Sequence, residues 1–434
     1  MGAPVREADV LVLGGGLAGL AAALEARRAG CRVLVAARHP PGRGGNSILA
    51  ACNLSGVFSP GDTEESFVAD ALRGGAGIGD PALAGAAARG SRELIGFLQG
   101  LGVRFQTRDR ALLTRSNPGH SVPRTIATVR DGLPATVGGL SLTRPLAEAA
   151  GREGVAFAPG AALDLRIAGG RVAGARICGP EGPFEAAAGA VVLATGGAGR
   201  LYARSDNAAD VTGDGWALAY RAGAELRDLE FVQFHPTMAV WPIRGVVPTT
   251  LFGEGAVLRN RLGRRFLEHA APGGEAGVTR DAMSRAILRE VAAGPGPGGD
   301  QGPGPAGVWL DLSGVAPEVL QGYPQVWDAL CRRGLDPRRQ AVRVAPAAHF
   351  CMGGVTVDAA CATTAPGLFA AGEVAAGLHG ANRLGGNALT EALVLGASPG
   401  GRRRGRPWGA VAGPAGAAQS RPSLPKDPRG ATRP

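Results

Sequence analysis

The segment GLHGANRLGGNALTEAL, at residues 377–393, brings an arginine, a glycine turn and a helix start within a few residues of one another. Arg383 presents a planar, permanently charged fork that matches a carboxylate. Gly385, Gly386 and Asn387 allow backbone N–H groups to face an electron-rich cofactor edge at a helix N-terminus. This pattern predicts a carboxylate held beside a flavin.

The N-terminal residues predict the element that would bind the rest of such a cofactor. Residues 8–13 form a short apolar stretch typical of a strand, GGGLAG follows at 14–19, and residues 20–29 are predicted to form a helix. A glycine fingerprint between a strand and a helix is typical of dinucleotide-binding folds, in which the pyrophosphate lies at the helix N-terminus.

Gly14, Gly16 and Gly19 hold the places that permit a tight turn and a close approach of the pyrophosphate. A carboxylate commonly follows at the end of the second strand, where it binds the ribose. Here Ala37 and Arg38 stand in that place, so ribose recognition must rest elsewhere. Their presence weakens an NAD interpretation more than a flavin interpretation.

In these two segments, and in eight more between them, the chain resembles the flavoprotein family of succinate dehydrogenase, fumarate reductase and L-aspartate oxidase. The resemblance covers roughly residues 8 to 396, in the family's order. Besides the two segments above, it includes GGNS (44–47), VVLATGGAG (191–199), TGDG (212–215), FVQFHPT (231–237), GEGA (253–256), TRDAMSRAI (279–287), PAAHFCMGGV (346–355) and GLFAAGE (367–373).

The resemblance implies an α/β fold in which a Rossmann-like FAD-binding domain is interrupted by a smaller α+β capping domain. We expect the FAD-binding domain at 1–230 and again at 344–397, with the cap at 231–343. Within the cap, the Pro/Gly insert at 294–307 is predicted to be a flexible loop. Residues 398–434 predict a disordered basic tail in place of the family's C-terminal helical domain; a native tail and a frameshifted gene end both account for it.

FAD is the cofactor that the resemblance implies, and its attachment is expected to be noncovalent. Respiratory members of the family attach FAD through a histidine in a Ser-His-Thr segment, where this chain has Asn46 and Ser47. Glu373 is placed to accept hydrogen bonds from ribityl hydroxyls. The positions assigned to the cofactor are Gly14, Gly16, Leu17, Ala18, Gly19, Ala37, Arg38, Gly44, Gly45, Asn46, Ser47, Thr195, Gly196, Asp214, Glu373, Asn387, Ala388 and Leu389.

For the substrate, the resemblance implies a set of four side chains within the matched motifs. His235 would hold one carboxylate of a dicarboxylate, His349 and Arg383 would hold the other, and Arg280 would exchange the proton. A four-carbon dicarboxylate needs donors or cations at both ends, which this set supplies. No metal is expected, because the six cysteines show no metal-ligand spacing.

The largest departure from the family concerns the proton relay behind Arg280. Relatives use a Glu and an Arg in a Thr-Glu-x-x-Arg-Gly-Glu-Gly segment. An alignment anchored on GEGA places Pro248 at the Thr, Thr249 at the Glu and Phe252 at the Arg. Both relay residues are therefore expected to be lost.

A second departure concerns the choice of substrate. L-Aspartate oxidases usually carry a Glu before a Gly-Gly-His-Ser segment, where it can pair with the substrate ammonium. Ser116 and Asn117 occupy that neighbourhood here, before Gly119, His120 and Ser121. This favours a plain dicarboxylate over aspartate.

Charge and hydropathy argue against two further classes of protein, nucleic-acid-binding proteins and membrane-spanning proteins. The net charge of +10 does not indicate nucleic-acid binding, because residues 397–434 hold eight basic side chains and one aspartate, which account for +7 of it. The six cysteines indicate no disulfide framework, so a cytoplasmic protein is expected. No apolar run approaches the roughly 20 residues that a membrane helix needs, so any membrane association is expected to come through a partner subunit. Such a subunit would also serve as an electron-transfer partner.

The sequence thus predicts an FAD-dependent oxidoreductase that interconverts a saturated and an unsaturated dicarboxylate by hydride transfer to or from the flavin. One alternative is L-aspartate oxidase. Another is an inactive flavin-binding remnant, which would follow from loss of the relay and from the altered C-terminal segment.

Overall fold

The computed structural model describes residues 5–271, 273–294 and 305–397. Most of the Pro/Gly insert and all of the basic tail lie outside these residues. In chain order the strands are β1 (Val5–Leu13), β2 (Val33–Ala37), β3 (Asn53–Ser55), β4 (Thr107–Arg108), β5 (Ala111–Leu112), β6 (Thr125–Ala127), β7 (Ala156–Pro159), β8 (Ala161–Ala168), β9 (Arg171–Gly179), β10 (Gly182–Leu193), β11 (Leu226–Arg227), β12 (Val232–Trp241), β13 (Gly245–Val246), β14 (Val257–Arg259), β15 (Val308–Asp311), β16 (Val342–Cys351), β17 (Gly354–Thr356), β18 (Leu368–Ala370) and β19 (Ala375–Ala376).

The α-helices are α1 (Leu17–Arg28), α2 (Gly45–Leu49), α3 (Glu64–Gly74), α4 (Pro81–Gly100), α5 (Leu140–Arg152), α6 (Asp214–Arg221), α7 (Arg280–Ala292), α8 (Pro317–Gln321), α9 (Pro324–Cys331) and α10 (Asn387–Val394). Short 3-10 helices span Ala135–Val137, Gly199–Leu201, Thr249–Glu254 and Gly274–Gly277. Among the helices of the described ranges, none is both long enough and apolar enough to cross a membrane.

The larger layer is a seven-stranded sheet in the order β7-β2-β1-β10-β9-β8, with β18 also paired to β10. Strands β7, β2, β1, β10 and β18 run parallel, whereas β9 and β8 continue the sheet in antiparallel fashion. Val10, Leu11 and Val12 are all fully buried, as expected for a parallel strand covered on both faces. The chain leaves β1 toward β2 on one side and later returns as β10 on the other, which creates a topological switch point at the carboxyl end of β1.

Helix α1 begins three residues earlier than the sequence indicated. The predicted start was residue 20, but the helix begins at Leu17, with Gly16 as its N-cap residue. Gly19 lies inside the first turn, where a Cβ would approach the Gly14 carbonyl oxygen to 2.0 Å. The fingerprint glycines therefore permit close packing of the helix start on the end of β1, and they do not delay the helix.

The smaller layer is a five-stranded antiparallel sheet in the order β13-β12-β16-β15-β14. Helix α7 packs on β12 and β16. This layer has a core of its own, formed by residues between Ala239 and Val344, whereas the core of the larger layer uses residues up to Ala224 and from Val355 onward. The structure confirms the predicted fold class, an α/β domain interrupted by a smaller α+β unit.

The return from the smaller layer to the larger one occurs later than position 343/344. Strand β16 crosses that position and pairs with β12 as far as Cys351. We propose that the two domains divide near 230 and again at the end of β16. After this point β18 pairs with β10 in the larger layer, β17 and β19 form a three-stranded sheet with β11, and α10 packs against α1 and α4.

Candidate active site

A cavity of about 1400 Å³ is lined by residues of both layers. Pockets for drug-sized ligands usually enclose about 300 to 1,000 Å³, so this cavity has room for a larger cofactor together with a small substrate. It opens at the carboxyl ends of β1 and β2, the switch point at which open α/β sheets bind ligands. Residues of β12 and α7, including Met238 and Met283, also line it.

The glycine turn after β1 forms one wall of the cavity. Gly14 has φ of +120°, and a Cβ there would lie 2.2 Å from the carbonyl oxygen of Ala194 on the neighbouring β10 connection. The Leu17 backbone N–H donates to Ser47 Oγ at 3.1 Å, which fixes the helix start against α2. Only a bare backbone fits here, so the turn presents amide groups to the cavity, as a pyrophosphate requires.

A carboxylate does lie beside the end of β2, although it comes from a distant part of the chain. Arg38 forms an ion pair with Asp214, the first residue of α6, and donates to the Asp210 carbonyl oxygen at 3.2 Å. Thr212 Oγ1 donates to the other Asp214 oxygen at 3.0 Å. The acid that is missing from the β2 sequence is therefore supplied in space by α6.

Glu373 lies at the centre of a partly buried polar cluster that lines the cofactor side of the cavity. Its carboxylate accepts hydrogen bonds from Asn46 Nδ2 at 3.1 Å and from the Cys351 backbone N–H at 3.1 Å. Burial raises the pKa of Glu373 to about 7. Nearby, the buried hydroxyl of Thr195 has no hydrogen-bond partner in the described chain. An acceptor and an unpaired hydroxyl suit a ligand rich in hydroxyl groups, so these residues fit a flavin dinucleotide.

Most of the positions assigned to the cofactor from the sequence line this one cavity, but two do not. Gly19 is shielded by the turn, and Asn387 is buried at the start of α10. The lining positions are Gly14, Gly16, Leu17, Ala18, Ala37, Arg38, Gly44, Gly45, Asn46, Ser47, Thr195, Gly196, Asp214, Glu373, Ala388 and Leu389.

The four residues assigned to the substrate also line the cavity, although 148 positions separate the first from the last. The rings of His235, on β12, and His349, on β16, lie 5.2 Å apart between centroids in an edge-to-face arrangement. Arg280 is the first residue of α7, and Arg383 lies in the loop before α10. Two arginines and two histidines thus converge on one region.

His235 is held as a neutral donor. Burial, followed by the positive charges of Arg280 and its other neighbours, lowers the pKa of His235 well below its usual range. The Thr237 backbone N–H donates to His235 Nδ1 at 3.3 Å, so the ring proton resides on Nε2. His235 can therefore donate to a carboxylate without taking up a proton.

Arg383 is positioned by Gln233, a residue that sequence reasoning did not single out although it belongs to the FVQFHPT motif. Arg383 donates to Gln233 Oε1 at 2.8 Å, and Gln233 Nε2 donates back to the Arg383 carbonyl oxygen at 2.8 Å. The guanidinium also lies over the Phe350 ring at 4.6 Å. Burial and the nearby charge of Arg280 lower the pKa of Arg383 to about 9, and a dianion between the two arginines would relieve that repulsion.

His349 is paired with Asp206, a second residue that the sequence analysis missed. Its Nδ1 lies 2.7 Å from Asp206 Oδ2. Asp206 follows β10 in a loop that none of the quoted motifs covers, so no local signal identified it. Among the described residues, Asp206 is the carboxylate that directly contacts one of the four side chains assigned to the substrate, namely His349.

The relay positions supply no charge to the site. Pro248, Thr249 and Phe252 line the cavity, and Phe252 also packs into the core of the smaller layer. The segment before His120 likewise lacks a carboxylate. Ser116 and Asn117 line the cavity, and Asn117 Nδ2 donates to Thr125 Oγ1 at 2.9 Å.

Comparison with known proteins agrees with this geometry. A family described as FAD binding domain matches residues 9–389. An L-aspartate oxidase of Synechocystis sp. is 36% identical over 398 residues, which cover 89% of this chain and 69% of the relative. A fumarate reductase (CoM/CoB) chain of Methanothermobacter marburgensis is 34% identical, with 91% of this chain and 72% of the relative covered.

A solved structure shows the same architecture. The FrdA chain of Escherichia coli quinol fumarate reductase superposes with a TM-score of 0.82 at 28% identity, and the match covers 96% of this chain and 72% of that chain. Sequence and structure therefore lead to one group of flavoproteins.

Proposed function

This chain is an FAD-dependent oxidoreductase that belongs to the family of the L-aspartate oxidases and the fumarate reductase flavoproteins, and we propose that it interconverts a saturated and an unsaturated four-carbon dicarboxylate. The observation that supports this most is the convergence of His235, Arg280, His349 and Arg383 on the cavity wall, without a carboxylate at 116–121. Such a site matches two negative charges, and residues 116–121 offer no carboxylate to an ammonium group.

Each side chain then has a defined task. His235 donates through Nε2–H to one carboxylate of the substrate. Arg383, held by Gln233, binds the other carboxylate together with His349. Arg280 exchanges a proton with the carbon next to the one that exchanges hydride. FAD, when bound, supplies the two-electron redox capacity of the reaction.

Holding the substrate at both ends aligns its carbons and compensates the buried positive charges. In a water-excluded site such preorganised donors are worth more than in water, because they need no reorganisation during the reaction. The proposed FAD contacts are the glycine turn after β1, Asn46 and Glu373, with the cofactor bound noncovalently. The similarity to a quinol fumarate reductase chain also supports a partner subunit that exchanges electrons with the flavin.

L-Aspartate oxidase is the second candidate, because several of the related proteins carry that name. Aspartate is itself a four-carbon dicarboxylate, so the carboxylate-binding residues would serve it equally. The two proposals differ at the ammonium group, for which Ser116 and Asn117 offer only neutral oxygens. The uncharged positions Thr249 and Phe252 support a third outcome, a flavin-binding protein without turnover.

Anaerobic titration of the flavin-loaded protein separates these candidates. Bleaching of the flavin by succinate, or reoxidation of reduced flavin by fumarate, is the result expected from the main proposal. Bleaching by aspartate alone would replace it with the oxidase. No spectral response to any of the three compounds would support the inactive protein.

A further inference from the structure

The hydrogen bond between Asp206 and His349 fixes the position of the ring proton. The Asp206 side chain is 8% exposed and the His349 side chain 28% exposed. A carboxylate oxygen only accepts hydrogen bonds, so Nδ1 of His349 must carry the proton that it shares with Oδ2 at 2.7 Å. Asp206 Oδ1 in turn accepts from Asn207 Nδ2 at 3.2 Å, which holds the carboxylate in place.

This arrangement leaves His349 unable to donate to a substrate while it is neutral. With its proton on Nδ1, a neutral ring presents a lone pair at Nε2. In the described part of the chain Nε2 makes no hydrogen bond to protein. A lone pair repels a carboxylate, so His349 can bind one through Nε2 only as imidazolium. His235 differs, because its Nδ1 is the acceptor and its Nε2 already carries the proton.

We propose that Asp206 makes His349 a proton-coupled carboxylate receptor, such that a dicarboxylate enters this site together with one proton taken up from solvent at His349 Nε2. The inference rests on the proposed function and deepens it. Asp206 is a positioning residue, since it acts through His349 and stabilises the imidazolium that forms.

The charges around His349 are consistent with this coupling. Burial and the positive charges of Arg280, from α7, and Arg383, from the loop before α10, lower the pKa of His349, whereas Asp206 raises it. The balance leaves the pKa below its usual range, so the ring is neutral at pH 7 before substrate arrives. His235, from β12, is also neutral and adds no charge. A bound dianion adds negative charge beside the ring and therefore raises its pKa, which drives the proton uptake.

Isothermal titration calorimetry with malonate tests the proposal on the flavin-loaded protein. Malonate is a dicarboxylate with a single CH₂ group, so it cannot be dehydrogenated to an alkene, and binding is measured without turnover. Titrations at pH 7.5 in buffers of different ionisation enthalpy give the number of protons taken up per malonate. We expect close to one proton, and an affinity that falls about tenfold per pH unit in this range.

Two variants and one control assign the proton. In Asp206→Asn the amide oxygen still accepts from Nδ1, but it cannot neutralise an imidazolium, so proton uptake should fall toward zero and affinity should drop. In His349→Gln the amide donates without protonation, so binding should lose both the proton uptake and the pH dependence. Asp164→Asn removes a surface carboxylate that pairs with Arg221 at 3.0 Å, and it should behave as the wild type.

Each contrary result has a distinct meaning. Malonate binding without proton uptake in the wild type would overturn the coupling while leaving the dicarboxylate site intact. Full proton uptake in Asp206→Asn would remove Asp206 from the role. Absence of malonate binding would overturn the dicarboxylate site itself, and this inference with it.

Discussion

The rings of His235 and His349 lie 5.2 Å apart between centroids, edge to face, and carry their protons on different ring nitrogens. Thr237 donates to Nδ1 of the first ring, and Asp206 accepts from Nδ1 of the second. Nε2 of His235 can therefore donate a hydrogen bond to one carboxylate of the substrate, whereas Nε2 of His349 can accept a proton at the other carboxylate. An asymmetric site of this kind can orient a symmetric dicarboxylate for hydride and proton exchange on adjacent carbons.

The first prediction concerns Arg383. Replacing it with lysine keeps a positive charge but removes the planar fork that contacts Gln233 and can bind a carboxylate through two hydrogen bonds. Arg383→Lys should weaken dicarboxylate binding by roughly 1 to 3 kcal/mol, the scale of hydrogen bonds to charged groups. Equilibrium titration measures the loss, and the flavin spectrum verifies that FAD is retained. Arg221→Lys, on the surface of α6, is the matched control. Unchanged affinity in Arg383→Lys would exclude Arg383 from the substrate site.

The second prediction concerns the attachment of FAD. Asn46 and Ser47 stand where respiratory members of the family carry the linking histidine, and neither side chain has an imidazole nitrogen, so no covalent flavin bond is expected there. Acid precipitation should release all of the yellow colour into the supernatant, where absorbance at the flavin band quantifies it. Colour that stays in the pellet after washing would show a covalent linkage.

The third prediction concerns the missing relay. If Arg280 exchanges its proton without a carboxylate and a second arginine behind it, protonation should limit turnover, and fumarate reduction should show a solvent isotope effect on kcat. The variant Thr249→Glu with Phe252→Arg should raise the rate and reduce that effect. Each single variant must be compared, because Phe252 is buried and a lone buried charge is costly. Fast turnover of the native enzyme with no isotope effect would assign the proton to another route.

The fourth prediction concerns the buried ion cluster formed by Arg124, Asp62 and Asp70. Arg124 is fully buried, and its NH2 nitrogen lies 3.1 Å from carboxylate oxygens of both Asp62 and Asp70. Arg124→Met would leave the buried Asp62 carboxylate without its cation and Asp70 paired only with Arg73, which should lower the free energy of unfolding by about 3 to 5 kcal/mol. Urea denaturation measures the difference.

A control for that measurement is the exposed pair of Arg104 and Asp131, whose side chains are 69% and 73% exposed. Arg104→Met should cost less than about 1 kcal/mol, because solvent screens such a pair. Equal losses in the two arginine variants would show that burial of the Arg124 cluster contributes nothing.

The fifth prediction concerns Glu373 in the flavin-free protein. Its pKa is about 7 in the folded chain against an ordinary value of 4.5, so the folded state binds its proton more tightly than the unfolded state does. The contribution of Glu373 to stability is therefore complete below pH 4.5 and is lost as the pH rises to 7, by roughly 3 kcal/mol. Urea unfolding between pH 4.5 and 7 should show this decline in the wild type and a shallower one in Glu373→Gln. If the free energy of unfolding declined equally with pH in the wild type and in Glu373→Gln, the raised pKa of Glu373 would be contradicted.

The sequence by itself determined the fold class and the cofactor, and most of the positions that it assigned to the cofactor line the cavity. These features depend on local backbone requirements, which a few residues encode. Gly14 must adopt positive φ, and a fully apolar strand such as β1 must be buried on both faces. The start of α1 was misplaced by three residues, because glycines normally argue against a helix unless packing forbids a side chain, as it does at Gly19.

Only the tertiary structure decided which polar groups meet. Asp206 and His349 are 143 residues apart, and Gln233 and Arg383 are 150 apart. Neither pair has a spacing or motif that would identify it, since a hydrogen bond is selected by distance and direction after the two sheets have packed. The proton positions on His235 and His349 follow from those contacts. Motifs could therefore identify the histidines, but their opposite protonation depends on neighbours that only the folded chain brings together.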